Sequence, residues 1–221
     1  MDAILGLFPL NTVLMPGVTL RLHIFEDRYK NMIAQCIKQG APFGVLLDRN
    51  GNETGSRLDP VSVGTTAEIR DVTRLSNGRF FIVTRGVRRF AVKKFVAQEP
   101  HWSAQVSYID EPLGPHDVTG RLREKAVERF KDYLRLLLEV SRQELERLRL
   151  PDDPALASYL IADALRIQPA VKQELLEAAS AAERLGAELS LLEHHIRGLR
   201  RRGRKPRPKP AAPFNVRFSL N

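Results

Sequence analysis

Cysteine, tryptophan and long apolar runs are nearly missing from this chain. There is one cysteine, Cys36, and one tryptophan, Trp102, in 221 residues. A single thiol excludes an internal disulfide, and Cys36 falls on the apolar side of a helical pattern, where a thiol is buried and inert. No apolar stretch approaches the roughly 20 residues of a membrane span, and the acidic start Met1-Asp2 lacks the basic lead of a secretory signal. The expectation is a cytoplasmic protein with no membrane contact. Catalytic signatures are missing too. No Gly-Lys pair occurs, so there is no G-x-x-x-x-G-K-[ST] phosphate loop, and H-E-x-x-H, C-x-x-C and G-x-S-x-G are absent. His194 and His195 are adjacent and point about 100° apart on a helix, which is not the i, i+4 pairing that metal sites favour. Asp152-Asp153 is explained by a helix cap. No catalytic, cofactor-binding or metal-ligating residue is expected.

Acid is absent from one segment only. Residues 197–221 hold nine of the 35 Lys and Arg and no Asp or Glu, leaving 26 bases against 26 acids in residues 1–196. The formal charge of +9 therefore belongs to a basic, proline-rich tail. Like-charge repulsion and four prolines predict an extended arm. Arg200, Arg201, Arg202, Arg204 and Lys205 are its candidate anion-binding residues, for nucleic acid, an acidic protein surface or ribosomes. A solubilising tail without a fixed partner is the competing reading. The final FNVRFSLN alternates Phe214, Val216, Phe218 and Leu220, a pattern suited to strand addition at a sheet edge, in its own or another chain.

Strand and turn signals fill the first half. Pro16-Gly17 has the fixed φ and the tolerated positive φ of a type II turn, and reads as a hairpin-like corner. Beyond it, Val18, Leu20, Leu22 and Ile24 alternate with Thr19, Arg21, His23 and Phe25. The period then turns helical through Tyr29, Met32, Ile33, Cys36 and Ile37, with Gly40 as the stop. Ala41–Leu47, Val61–Leu75, Phe80–Thr84, Arg88–Phe95 and Trp102–Tyr108 read as further strands, Asn77-Gly78 as a hairpin turn and Asp48–Pro60 as an exposed loop. About six strands with tight turns predict a small barrel or pseudo-barrel.

From there the period is helical. Leu122, Ala126, Val127, Phe130, Leu134, Leu137 and Leu138 form one stripe, which Leu145 and Leu148 extend toward Pro151. Asp153 caps a helix with Pro154 in its first turn, Val171–Glu177 is short, and Ser180-Ala-Ala-Glu183 is a capping box opening a helix through Leu185, Leu189, Leu192 and Ile196. The fold class is α+β: a PUA-like β pseudo-barrel with one helix over residues 1–117, a helical bundle over 118–196, and the tail over 197–221.

Three ordered blocks resemble a known family. Phe8-Pro9-Leu10, Pro16-Gly17, Leu20–Phe25 and Glu26–Tyr29 are similar to the opening of the N-terminal, substrate-binding domain of the ATP-dependent Lon proteases. Residues 64–90, with Gly64, Ala67, Ile69, Gly78, Gly86, Arg89 and Phe90, resemble its second strand cluster, and residues 152–185 resemble its helical half. The resemblance implies a non-enzymatic recognition module, without the ATPase and the Ser-Lys protease domain, that binds unfolded or damaged polypeptide or a protein partner in quality control. It also implies an apolar groove where barrel meets bundle, for which Leu20, Phe25, Phe43, Phe80 and Tyr108 are open candidates. The alternative is a nucleic-acid- or ribosome-associated protein using the basic arm. Arg85, Arg88, Arg89, Lys93 and Lys94 form a second basic cluster, but Phe90 and Phe95 alternate with them as core positions would, which favours a structural or solvated role over RNA stacking.

Overall fold

The computed structural model describes residues 2–50, 59–139 and 141–202. Six strands come first, interrupted by one helix: β1 (Asp2–Leu10), β2 (Thr19–Ile24), α1 (Asp27–Gln39), β3 (Phe43–Leu47), β4 (Val63–Arg74), β5 (Phe80–Ala97) and β6 (Ser103–Tyr108). Helices follow: α2 (His116–Leu138), α3 (Arg142–Glu146), α4 (Pro154–Ala164), α5 (Pro169–Glu177) and α6 (Ala181–Arg202). The sheet is mixed, in the order β2-β5-β4-β3-β1-β6, and β6 pairs with β5 as well. Among the described residues, only β1 and β3 pair in parallel. The pairings β5-β4-β3-β1-β6-β5 therefore return to their start, and β2 is appended to β5 outside that circuit.

The opening corner has the expected turn but not the expected partners. Gly17 has φ +81°, and Val18 N–H donates to Met15 O at 3.2 Å to close the turn. However, β1 pairs with β3 and β6, while β2 pairs with β5, so the two strands do not form a hairpin. Val13, Leu14 and Met15 between them are buried and carry the chain across the interior. The corner is instead held against β5: Gly17 N–H donates to Gly86 O at 2.8 Å and Gly86 N–H to Val18 O at 2.9 Å. A Cβ at Gly86 would stand 2.3 Å from Met15 O, so only glycine allows this approach. Gly86 thus seats the corner rather than ending a strand, and Phe80–Ala97 is one continuous strand instead of two.

Other local signals appear where the residues place them. Asn77 and Gly78 both have positive φ, 61° and 69°, between β4 and β5. Asp153 Oδ1 accepts from Leu156 N–H at 2.6 Å, with Pro154 in the first turn of α4. Ser180 Oγ accepts from Glu183 N–H, but Glu183 reaches back to Ala179 N–H rather than to Ser180. The long stripe after residue 118 is cut at Glu139, left-handed at φ 56°, so α3 is a separate short helix opened by a Ser141–Glu144 capping box. The most basic part of the described chain also differs from expectation. Residues 197–202 continue α6 as helix, because Leu199 packs against the core next to buried Ile196. Cations in a last turn also suit the negative end of the helix dipole.

Two clusters of buried side chains organise the interior. One packs α1, through Tyr29, Met32 and Ile33, on Phe8, Ile24, Phe43, Phe80 and Ile82 of the sheet. The other joins both halves: Leu7, Phe90 and Val106 from the strands and Met15 from the segment between β1 and β2 meet Phe130, Tyr159, Ile161, Leu185 and Leu192 from the helices. Cys36 is 9% exposed, and burial pushes its thiol up.

Candidate functional site

A cleft lies where the strands meet the helices, and the Pro16-Gly17 corner forms one wall. It encloses about 670 Å³. β5 contributes Arg85, Val87 and Arg88, the segment after β6 contributes Ile109 and Leu113, and the start of α4 contributes Asp153 and Leu156. Val87 and Leu113 are exposed apolar side chains, 37% and 39%. The walls therefore alternate apolar surface with guanidinium groups. Arg70 pairs with Glu68 at 2.6 Å and Arg88 lies over the Tyr108 ring at 4.5 Å, while neither Arg85 nor Arg88 has an acidic partner among the described residues.

The floor is a buried ionic network that joins the halves. Arg89, 3% exposed, donates through Nη1 to the carbonyls of Leu176 at 2.8 Å and Ala178 at 2.7 Å, and its Nη2 meets Glu111 at 3.0 Å. Glu111 also accepts from Arg184 Nη2 and from the Tyr159 hydroxyl. Arg184, fully buried, stacks on the Tyr159 ring at 3.7 Å and donates through Nε to Ser158 Oγ at 2.8 Å. Burial raises the Tyr159 phenol, with Glu111 adding to the effect and Arg184 opposing it. One turn beyond Arg184, Glu188 is fully buried and neither carboxylate oxygen has a hydrogen-bond partner among the described residues. Burial holds its carboxyl well above the ordinary range, with Arg184 opposing, so the neutral acid is favoured. The network ties β5, the segment after β6 and the helices α4 to α6 together in fixed positions.

The sequence-based candidates divide sharply. None of Leu20, Phe25, Phe43, Phe80 and Tyr108 lines the cleft. Phe43 and Phe80 are core, Leu20 is half-buried, Tyr108 carries Arg88 behind the wall, and Phe25 is 52% exposed elsewhere. In the β5 basic cluster, Arg89 is structural, Arg85 and Arg88 reach the cleft, and Lys93 and Lys94 are exposed on the strand. Arg200 and Arg201 are exposed on the last turn of α6, Arg202 ends that helix, and Arg204 and Lys205 lie outside the described residues. His194 is exposed, while His195 packs edge-on to Tyr133 at 6.1 Å. Sequence reasoning missed the Glu111–Arg184–Glu188 network. Its signal was present: Arg184 and Glu188 share the face of Ala181, Leu185 and Leu192, where charge has to be accommodated.

Comparison with known proteins gives this architecture a relative. The family model for the ATP-dependent protease La (LON) substrate-binding domain matches residues 4–194. The chain belongs to this family. A Lon protease of Bacillus thuringiensis (strain Al Hakam) is 27% identical over 199 residues, which is 87% of this chain and 24% of that protein. The Lon protease of Escherichia coli (strain K12) is 28% identical over 138 residues, 62% of this chain and 18% of that one. The chain thus spans about a quarter or less of these curated relatives. The crystal structure of a Lon N-terminal domain protein from Xanthomonas campestris matches with TM-score 0.62 and 27% identity, covering 85% of this chain and 98% of that one. The N-terminal domain of Mycobacterium avium complex Lon protease matches in fold, with TM-score 0.65 at 20% identity over 87% of this chain and 100% of that one. The matched region is the substrate-binding part of the Lon family, and among the described residues no helix is long and apolar enough to cross a membrane.

Proposed function

We propose that this chain is a Lon-type substrate-recognition module that binds exposed apolar segments of unfolded or damaged polypeptide in the cleft between its strand and helical halves. The observation that carries the reading is the composition of that cleft. Val87, Ile109, Leu113 and Leu156 offer apolar surface around a mouth where Arg70, Arg85 and Arg88 hold backbone carbonyls or acidic flanks. The closed circuit of strand pairings supports a PUA-like pseudo-barrel as the rigid half of the site. Family membership supports recognition of protein substrates as the role. An unfolded client is bound without catalysis, by burial of its apolar side chains.

Fluorescence anisotropy with a labelled, permanently unfolded protein provides the test. Leu156→Asp places a charge in the apolar wall at a half-buried position, and its expected effect is about a tenfold weaker Kd, corresponding to roughly 1.4 kcal/mol. Circular dichroism of the same variant checks that the fold is retained. Unchanged affinity in a folded Leu156→Asp protein overturns the cleft as the binding site. The nucleic-acid reading is tested in parallel by the salt dependence of binding to a DNA duplex, and a steep slope supports it. The internal use of Arg89 weighs against an RNA surface on β5, because that guanidinium is committed to Glu111 and to the α5 carbonyls.

A further inference from the structure

Among the described residues β2 pairs with β5 alone, whereas each of the other strands has at least two partners. Which of its backbone groups are left over follows from the register. Gly86 N–H donates to Val18 O and the Thr84 hydroxyl to Leu20 O, so both carbonyls face β5. Antiparallel alternation then turns the backbone groups of Leu20, Leu22 and Ile24 toward β5 and leaves the N–H and C=O groups of Thr19, Arg21 and His23 pointing outward. Such a row is a template for one more strand.

Two features of the flanking surface say what that strand is. The first is continuity with the cleft: the edge begins just beyond the Pro16-Gly17 corner that forms one cleft wall, and Thr19 stands opposite Arg85, which lines the same cleft. The second lies four residues along β5 from Arg85, about 14 Å at the usual strand rise. There His23 stacks on Phe81 at 4.6 Å, Phe25 lies 5.6 Å from His23, and Phe25 and Phe81 are 52% and 51% exposed. Between these ends Leu20 and Leu22 are half-buried toward the inner face, and Arg21 is exposed on the outer one.

A second copy of the chain fits this edge poorly. The two-fold register that pairs all three outward residues sets Arg21 against its own counterpart, and like charges directly opposite destabilise a strand pair. The alternating residues Phe214, Val216, Phe218 and Leu220 lie outside the described residues. A polypeptide already held in the cleft meets no such conflict, because the corner delivers its next residues to β2. On the basis of the cleft as the client site, we infer that a client segment whose apolar residues occupy the cleft continues past the corner as a strand added to the free edge of β2. Its side chains alternate. Apolar ones lie against Leu20 and Leu22 on one face; on the other, an acidic residue opposite Arg21 is followed by an aromatic or aliphatic one against His23, Phe25 and Phe81. A segment free to extend is what an unfolded polypeptide has and a folded domain withholds, so the edge selects for unfolded clients through their backbone as well as their apolar surface.

Hydrogen exchange on the full chain reads the edge directly. At saturation with the permanently unfolded protein, the amides of Thr19, Arg21 and His23 are expected to exchange at least about tenfold more slowly, with those of β4 unchanged. Arg21→Pro removes one outward N–H without breaking a bond to β5, the kind of position where an edge strand tolerates proline, and its expected effect is at least about a fivefold weaker Kd. A peptide of about a dozen residues, alternating valine with threonine and carrying one glutamate, keeps the test independent of how that variant folds: methylation of its alternate backbone nitrogens is expected to weaken binding at least about tenfold. Unchanged exchange at Thr19, Arg21 and His23 under saturating client, with Leu156→Asp still weakening the Kd, overturns the added strand and leaves the cleft standing. An unaltered Kd in folded Leu156→Asp removes the cleft, and the strand with it. Protection of the same amides before any client is added, fading on dilution together with a dimer in light scattering, also overturns the added strand, since the edge then belongs to a second copy.

Discussion

Glu188 is the residue at which charge and burial conflict most directly, and the conflict has a sign. Its carboxyl is raised in the folded protein, so the folded state binds more protons than the unfolded state once pH exceeds the ordinary carboxyl value of about 4.3. This contribution is fully favourable below that value, and it is lost as pH rises toward the raised value. Its slope in the window is at most about 1.4 kcal/mol per pH unit. Glu188→Gln removes the titration. Urea unfolding at pH values from 4 to 8 is expected to show the variant gaining stability relative to the unmodified protein as pH rises, with the two converging at the acid end. A constant difference across the range would show that Glu188 is ionised and paired in the fold. The apolar face of α6 was legible from Leu185, Leu192 and Ile196, and the helical period places Glu188 on it, but the pattern does not show what stands opposite that charge.

At the scale of elements, the corner at Pro16-Gly17 and the strand β5 act as one unit. Two backbone hydrogen bonds join them at Gly86, and the corner, Gly86 and Val87 all line the cleft. Gly86→Ala drives a methyl group to within 2.3 Å of Met15 O, which the backbone relieves only by lifting the corner. The expected cost is about 1–3 kcal/mol, as for other overpacked sites, together with weaker client binding because one wall moves. Chemical denaturation and anisotropy on the same sample check both effects. The turn itself was readable, since proline and glycine specify its dihedral angles locally. The pairing of β2 with β5, and not with β1, was not. Strand partners depend on contacts between residues 64 positions apart, such as Leu20 and Thr84, whose hydroxyl donates to Leu20 O at 3.0 Å.

For the molecule as a whole, the shared core predicts that both halves unfold together. Buried residues of β1, β5 and β6 belong to the same cluster as those of α2, α4 and α6, and Arg89 binds the carbonyls that end α5. Trp102, the one tryptophan, packs edge-on to Phe95 in the strand half, whereas the far-ultraviolet helical signal comes mainly from the other half. Tryptophan fluorescence and ellipticity are expected to give coincident urea transitions. Two separated midpoints would mean that the ionic floor of the cleft does not couple the halves.

The sequence by itself determined the α+β division, the Pro16-Gly17 and Asn77-Gly78 turns, the Asp153 cap and the family resemblance across three blocks. Each of these depends on residues close together in the chain, through dihedral preference, capping or hydrophobic period. Tertiary structure alone decided the strand order, the continuity of β5, the helical course of residues 197–202 and the cleft with its Arg89–Glu111–Arg184 floor. These depend on which distant surfaces meet. A guanidinium on a strand is a solvated cation in one packing and a buried tie in another, and only the approach of α5 and α6 made Arg89 the second.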